Sequence, residues 1–369
     1  MSHCDWDAII VGAGPAGSAL ACRLGPQRRV LLLDRAPRSP LALPRIGESL
    51  PGAAAVLLQR CGGFERFLVA GHVERAATVS QWESSEPVWF DHLRDPNGPG
   101  WHLDRTRFDA DLRAAAVAAG STLIDVVGPL RVLRGAGSWR VECDAAVSEQ
   151  RAPLLIDATG RNAVVARKLG IARRAEDRLT CLYLHLPADP GDEDQCTRVC
   201  VDRNGWWYSV RVPTGQRVLA FHLDADDAEL RALRVPSHLL AKARRLPLLA
   251  DVLPVATDEA VQVRPAGSAV LDRQAVARSA PGFFAVGDAG LAFDPIASQG
   301  IFHALASAES AANAIERSDD GGALDSRDAF LEEMDSVHVH YRDRLRLTYA
   351  APAQYREWPF WARRIGNSS

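Results

Sequence analysis

The residues best suited by type and spacing to do chemistry are glycines and carboxylates that follow short apolar runs. Asp7-Ala-Ile-Ile-Val11 enters the turn Gly12-Ala-Gly14-Pro-Ala-Gly17, and a second run, Val30-Leu-Leu-Leu, ends in Asp34. Between them Ala16, Leu20 and Leu24 share one helical face. Such a βαβ unit binds a dinucleotide: Gly12 permits the tight turn, Gly14 lets a pyrophosphate approach the backbone, and Gly17 lets helix and strand pack closely. Free N–H groups at the helix start attract phosphate, and Asp34 accepts hydrogen bonds from a ribose. The alternative is a glycine turn inside some other α/β protein; the flanking strands and the acid favour the dinucleotide. Ala152-Pro-Leu-Leu-Ile-Asp157-Ala-Thr-Gly160 repeats the logic of strand, acid, glycine and helix. Gly282-Phe-Phe-Ala-Val-Gly287-Asp288 leads through Asp294-Pro-Ile-Ala-Ser-Gln-Gly300 into a helix from Ile301 to Ile315.

These acids and glycines must be held by a buried sheet with helices against it. The chain has 369 residues, 47% hydrophobic and 24% charged, enough for a large core. A net charge of -3 with scattered arginines points to neither nucleic acid nor an anionic membrane as partner. The first apolar run is the first strand, so neither signal peptide nor membrane span is read, and a cytoplasmic location is expected. Seven irregularly spaced cysteines make no disulfide framework and fit a reducing compartment. Cys196 and Cys200 lack further metal partners, and Asp224–Asp227 reads as a solvated helix N-terminus, so no metal site is expected.

Ala54, Leu57, Leu58 and Cys61 have helical spacing, ended by Gly62-Gly63. Thr106 and Asp109 read as an acidic capping box, which places Arg105 just ahead of a helix start, facing whatever that terminus binds. Thr180 to Leu223 is the most strand-like part, and the tail from Asp328 is helical with aromatics at its end. The fold class expected is α/β: a Rossmann-like dinucleotide-binding domain (FAD-binding by the resemblance given next) with an inserted antiparallel β-sheet substrate domain and a helical C-terminal tail. The expected division assigns 1–72, 101–178 and 261–320 to the first, 73–100 and 179–260 to the second, and 321–369 to the tail.

Together the three glycine-acid segments resemble the FAD-dependent monooxygenases of the hydroxybenzoate-hydroxylase fold. The resemblance implies that Gly12, Gly14, Gly17 and Asp34 hold the ADP half of FAD, that Arg105 lies near its phosphates, and that Asp288 binds the ribityl chain or a phosphate. Backbone N–H groups of Ser298-Gln299-Gly300 then meet the isoalloxazine. Ala16, Arg35, Arg45, Ser49, Asp157, Gly160, Gly287 and Ile301 complete the cofactor-binding set it implies. Within that fold, Arg45-Ile-Gly47-Glu48-Ser49, Trp206-Trp207-Tyr208 and Phe360-Trp361-Ala-Arg-Arg364 resemble the tryptophan-halogenase branch. Gly100-Trp-His-Leu-Asp-Arg105 and Asp294-Pro-Ile-Ala-Ser-Gln-Gly300 are most similar to flavoprotein maturases of quinone cofactors in lysine and glycine oxidases. By that resemblance the chain is a monooxygenase hydroxylating an aromatic ring, plausibly a tryptophan in a peptide or protein partner. O2 is then the co-substrate, with electrons from NAD(P)H or a separate flavin reductase.

Flavin halogenases guide hypohalous acid with a lysine and a glutamate. Ala77-Thr78-Val79-Ser80-Gln81-Trp82 offers no lysine, the only two lysines, Lys168 and Lys242, lie elsewhere, and Ala297 stands where the glutamate is expected. Halogenation, hydroxylation or oxidation of a small aromatic metabolite, and a non-catalytic flavin-binding role stand as the alternatives. Glu48 is the first candidate for contact with flavin or substrate; the other reading is an ion pair with Arg45. His303 is a candidate for proton transfer at the isoalloxazine, against a packed helix histidine. Trp82, Trp101, Trp206 and Tyr208 are candidates for an aromatic pocket wall, against core packing or, for Trp101, a loop anchor.

Overall fold

The computed structural model describes residues 4–35, 46, 48–135, 137–143, 149–279, 282–318 and 323–366, the side chains of 323–325 excepted. Its centre is a five-stranded parallel sheet in the order Phe283–Ala285, Leu154–Asp157, Ala8–Val11, Val30–Arg35 and Thr122–Val126. The inner strands are apolar throughout because both faces are covered. Ala8, Ile10, Val30 and Leu32 face the helices Pro15–Leu24, Arg105–Ala118 and Gly300–Arg317. Ile9, Val11, Leu31 and Leu33 face Trp139 and Val141 of a small antiparallel sheet and the helix Val164–Lys168. Alternate side chains of one strand thus enter two separate cores.

The second sheet has seven strands, and it is antiparallel except where Ala77–Gln81 pairs parallel with Thr197–Asp202. Its centre is Leu179–Leu186, Arg217–Asp224 and Gly205–Arg211, paired antiparallel, the last two as a hairpin. Gln262–Pro265 is its edge strand beside Leu179–Leu186, so the start of segment 261–320 lies with this sheet. Trp207 packs on Phe221 at 4.2 Å beneath the helix Pro236–Ala243, whereas Trp206, one residue earlier, points to the other face. That other face faces the C-terminal segment.

The helix Ala323–Ala350 and the shorter Pro359–Gly366 form the tail. Tyr349, Phe360 and Trp361, each at most 3% exposed, close over the Trp206 face of the sheet. Arg364 fixes this closure by an ion pair with Asp224 at 2.7 Å, and Arg363 reaches Asp224 and Asp226 at 2.9 Å. Asp224 ends a strand and is 5% exposed, which corrects its reading as part of a solvated helix N-terminus. The capping box is corrected as well. Asp104 is the cap, accepting from the Arg107 N–H at 3.1 Å, while Asp109 is held by Arg105, also at 3.1 Å. Among the described residues no helix is long and apolar enough to cross a membrane, and no cluster of His, Cys, Asp or Glu is arranged to hold a metal ion.

Candidate active site

A cleft of about 520 Å³ runs between the two sheets, with the glycine turn at one end and Trp206 among the residues at the other. Gly12 has φ +106°, and a Cβ there would stand 2.3 Å from the Ala158 carbonyl oxygen. A Cβ on Gly17 would lie 1.8 Å from the Gly12 oxygen, so this residue sets the approach of the helix to the turn. Gly14 caps the helix Pro15–Leu24, whose first-turn N–H groups have no intrahelical acceptors and face the cleft. Ala16 lines it there too. Asp34 enters from its strand end and accepts from the Arg113 guanidinium at 2.7 Å. Arg35, next in the chain, is exposed and does not line the cavity, and Arg45 lies outside the described residues. Arg105 lines the wall while donating to the Ile46 carbonyl and to Asp109, both at 3.1 Å.

Asp157 has a different position from the one implied by the resemblance. It is fully buried; Oδ1 accepts from the Thr159 N–H at 2.9 Å and its hydroxyl at 2.6 Å, and Oδ2 accepts from the Ala166 N–H at 2.8 Å. Its carboxylate builds the turn that presents Thr159, Gly160 and Arg161 to the cleft and does not itself line it. Arg161, which motif reasoning passed over, pairs with Asp288 at 3.3 Å and donates to the carbonyls of Gly267 and Phe293. It thereby ties the Asp157 turn to the Asp288 turn across the cleft floor. Gly287 itself lies behind that floor, with φ +58° and its N–H donated to the Ser307 hydroxyl at 2.8 Å.

Toward the other end, Asp294 caps the short turn Pro295–Ala297, and Ser298 takes a left-handed conformation, φ +50°, before the helix Gly300–Arg317 begins. Left-handed backbone at a non-glycine residue is costly and collects at functional sites. Ser298, Gly300, Ile301 and Ala304 line the cleft; Gln299 is the helix cap beside them and does not. His303 turns away. It is 5% exposed, packs on Phe293 at 4.6 Å and borders a separate small cavity with Ser307 and His338. Burial lowers it to about 4, so it is a neutral packed histidine and not a group facing the cleft.

The opposite wall is aromatic and polar. Tyr208 donates to Glu48 Oε2 at 3.4 Å, its oxygen lies 3.3 Å from the Ser49 hydroxyl, and all three residues line the cleft. Glu48 is 2% exposed, on the turn leading into the strand Ser49–Leu50. Trp206 stacks on His222 with centroids 3.7 Å apart and planes 8° from parallel. Its indole N–H donates to the Tyr349 hydroxyl at 3.1 Å, and that hydroxyl donates to Asp294 Oδ2 at 2.7 Å. Burial raises the Asp294 carboxyl to about 6, with the charge of Asp177 adding to the rise. Two expected wall residues stand elsewhere. Trp82 lies behind Trp206, donating to the Thr348 carbonyl at 2.8 Å, and Trp101 packs edge-on against Phe67 at 4.9 Å. Asp294 heads a motif that gave it no role of its own, and His222, Arg161 and Tyr349 were missed because no local motif marks them; an alternating strand carrying a histidine was the available signal for His222.

A glycine cradle that a Cβ would fill, a helix start, an acid at the second strand end and arginines along the wall fit the ADP half of FAD. The Ser298 N–H is taken by the Pro295 carbonyl at 2.9 Å, so the helix start at Gly300 is what leaves backbone donors for the ring of FAD. Fold and site define an FAD-dependent oxidoreductase. The chain belongs to the tryptophan halogenase family, whose description matches residues 69–367. Over 97% of its length it is 28% identical to LodB of Marinomonas mediterranea, assigned as an FAD-dependent oxidoreductase, and the match covers 96% of LodB. The fold is shared with the flavin-dependent halogenase CmlS (TM-score 0.80, 22% identity, 100% of this chain and 69% of CmlS). It is shared too with QhpG, a peptidyl tryptophan dihydroxylase essential for tryptophylquinone cofactor biogenesis (TM-score 0.77, 23% identity, 99% of this chain and 79% of QhpG).

Proposed function

We propose that this protein is a monooxygenase that hydroxylates an electron-rich aromatic ring, a tryptophan carried by a peptide or protein partner. The observation that carries the reading is the lack of a lysine in the cleft of a halogenase-family chain. Lys168 is exposed at a helix end, and Lys242 pairs with Glu229 at 2.9 Å and Asp202 at 3.4 Å, away from the cavity. Without an ammonium to guide hypohalous acid, the activated oxygen is left to react with the ring. The likeness to LodB over nearly the whole chain supports the reading, and what QhpG is named for supplies the substrate class.

Reduced FAD supplies the oxygen-activating chemistry when bound, with O2 as co-substrate and electrons from NAD(P)H or a reductase. The protein's own residues position and exclude. Gly12, Gly14, Asp34, Arg105 and Asp288 would hold the nucleotide and phosphates, and the helix start at Gly300 would offer N–H groups to the ring. Tyr208 presents an aromatic face to a substrate ring, and Trp206, 1% exposed and stacked on His222, braces the wall beside it. Glu48 Oε2 accepts the Tyr208 O–H in a hydrogen bond, and Asp294, raised to about 6 by burial, takes up a proton only on the acid side of neutrality.

Halogenation is the second reading, favoured by the family match and by the shared fold with CmlS. Turnover of the polypeptide encoded beside this protein, with reductant, O2 and excess bromide, separates the two. Hydroxylation adds oxygen mass whether or not bromide is present; a bromine isotope pattern on the product supports halogenation and overturns the first reading.

A further inference from the structure

His222 is 2% exposed and lines the cleft, yet beyond a contact with the Trp206 backbone neither imidazole nitrogen makes a hydrogen bond among the described residues. Buried polar atoms are nearly always bonded, and an exception calls for a physical reason. Its strand neighbours do not supply one. Cys181 on one side and Trp206 on the other are its cross-strand partners, and both line the same cavity. Trp206 stacks flat on the imidazole at 3.7 Å but directs its own N–H away, to Tyr349. Burial lowers His222 to about 3, with a hydrogen bond to the Trp206 backbone opposing it, so the ring is neutral at physiological pH and keeps one lone pair as an acceptor.

We propose that His222 is a specificity-determining residue that accepts a hydrogen bond from the N–H of the substrate's aromatic ring. The inference rests on the aromatic-substrate reading above and assigns that reading a residue. A ring with a donor satisfies the buried nitrogen; an isostere without one leaves it unpaired, and sites built this way reject such analogues strongly. As the ring carbon is oxygenated its N–H becomes more acidic, so the bond tightens toward the transition state. The Trp206 stack holds the imidazole plane for this contact.

Binding of indole and of benzofuran to the FAD-loaded protein tests the assignment, because the two differ in shape by little more than N–H against O. The wild-type protein is expected to bind indole ~10- to 100-fold more tightly than benzofuran. His222→Phe, which keeps an aromatic ring on Trp206, is expected to bring indole down to the benzofuran level and leave benzofuran unchanged. Should that variant fail to fold, the wild-type protein labelled with 15N-histidine provides the second readout: indole, not benzofuran, shifts an imidazole resonance. Equal binding of the two probes by the wild type, discrimination that survives in His222→Phe, or no imidazole shift would overturn the assignment. Discrimination seen without any oxygen insertion would leave His222 in place and overturn only the hydroxylase reading.

Discussion

Tyr349 donates its hydroxyl hydrogen to Asp294 Oδ2 at 2.7 Å, joining the C-terminal helix to the turn that opens the ring end of the cleft. The same oxygen accepts the Trp206 indole N–H at 3.1 Å, so one hydroxyl fixes a wall residue and an acid at once. Tyr349→Phe keeps the ring packing on Trp361 and Phe360 but leaves a buried N–H without an acceptor. A loss of about 2 kcal/mol in urea unfolding at neutral pH is expected, as for other orphaned buried groups. Unchanged stability would mean that the hydroxyl is replaceable by water.

Asp294 sets a pH dependence whose sign follows from its environment. Its folded carboxyl sits at about 6 against 3.8 ordinarily, so between those values the folded state holds the extra proton. The favourable contribution is present at low pH and is lost as pH rises toward and past 6. Asp294→Asn is neutral throughout. Comparing the unfolding free energies of the two apoproteins, the balance should shift against the wild type by about 3 kcal/mol between acid and neutral pH. Parallel profiles would contradict the burial argument.

His303 has the opposite sign. It is lowered from 6.5 to about 4, so the unfolded chain takes up a proton that the folded state refuses, and stability falls as pH drops below 6.5. His303→Phe should remove about 2 kcal/mol of the loss between roughly pH 7 and pH 5. Because the side chain faces Phe293 and the small cavity, turnover is expected to stay within about two-fold. A large fall in turnover, with FAD retained, would return His303 to the reaction.

Gly12→Ala forces a Cβ to within 2.3 Å of the Ala158 oxygen in a backbone conformation that side chains rarely adopt. Retained FAD, measured on the purified protein by absorbance, should fall at least ten-fold in affinity, about 1.4 kcal/mol. Asp288→Ala should weaken it as well, through the lost pair with Arg161 and the lost contact at the cleft floor. Full FAD occupancy in both variants would remove the dinucleotide assignment of this end.

The glycine turn was legible because it answers a backbone requirement that sequence states directly: no other residue fits where Ala158 approaches Gly12. Asp157 and Asp288 look alike as motif acids, yet one is consumed by three hydrogen bonds of its own turn and the other lies at the cleft. Only tertiary structure separates them. His303 was misplaced by the rotation of a helix: Ile301 and Ala304 reach the cleft while His303, between them in sequence, points to Phe293. His222 depends on Trp206 through hairpin register, and Asp294 on Tyr349, far along the chain, through the folding back of the tail. Trp206 and Trp207 differ by one residue and face different cores, which strand periodicity predicts but cannot orient.

The chemistry proposed for the cleft is oxygen transfer to an aromatic ring in a polypeptide. Its most direct test is mass spectrometry of the polypeptide encoded beside this protein after single turnover with the reduced, FAD-loaded enzyme under 18O2. A tryptophan-containing peptide heavier by one 18O atom, formed without any halide, is the predicted result. An unlabelled, unmodified polypeptide with hydrogen peroxide as the sole oxygen product would contradict the account.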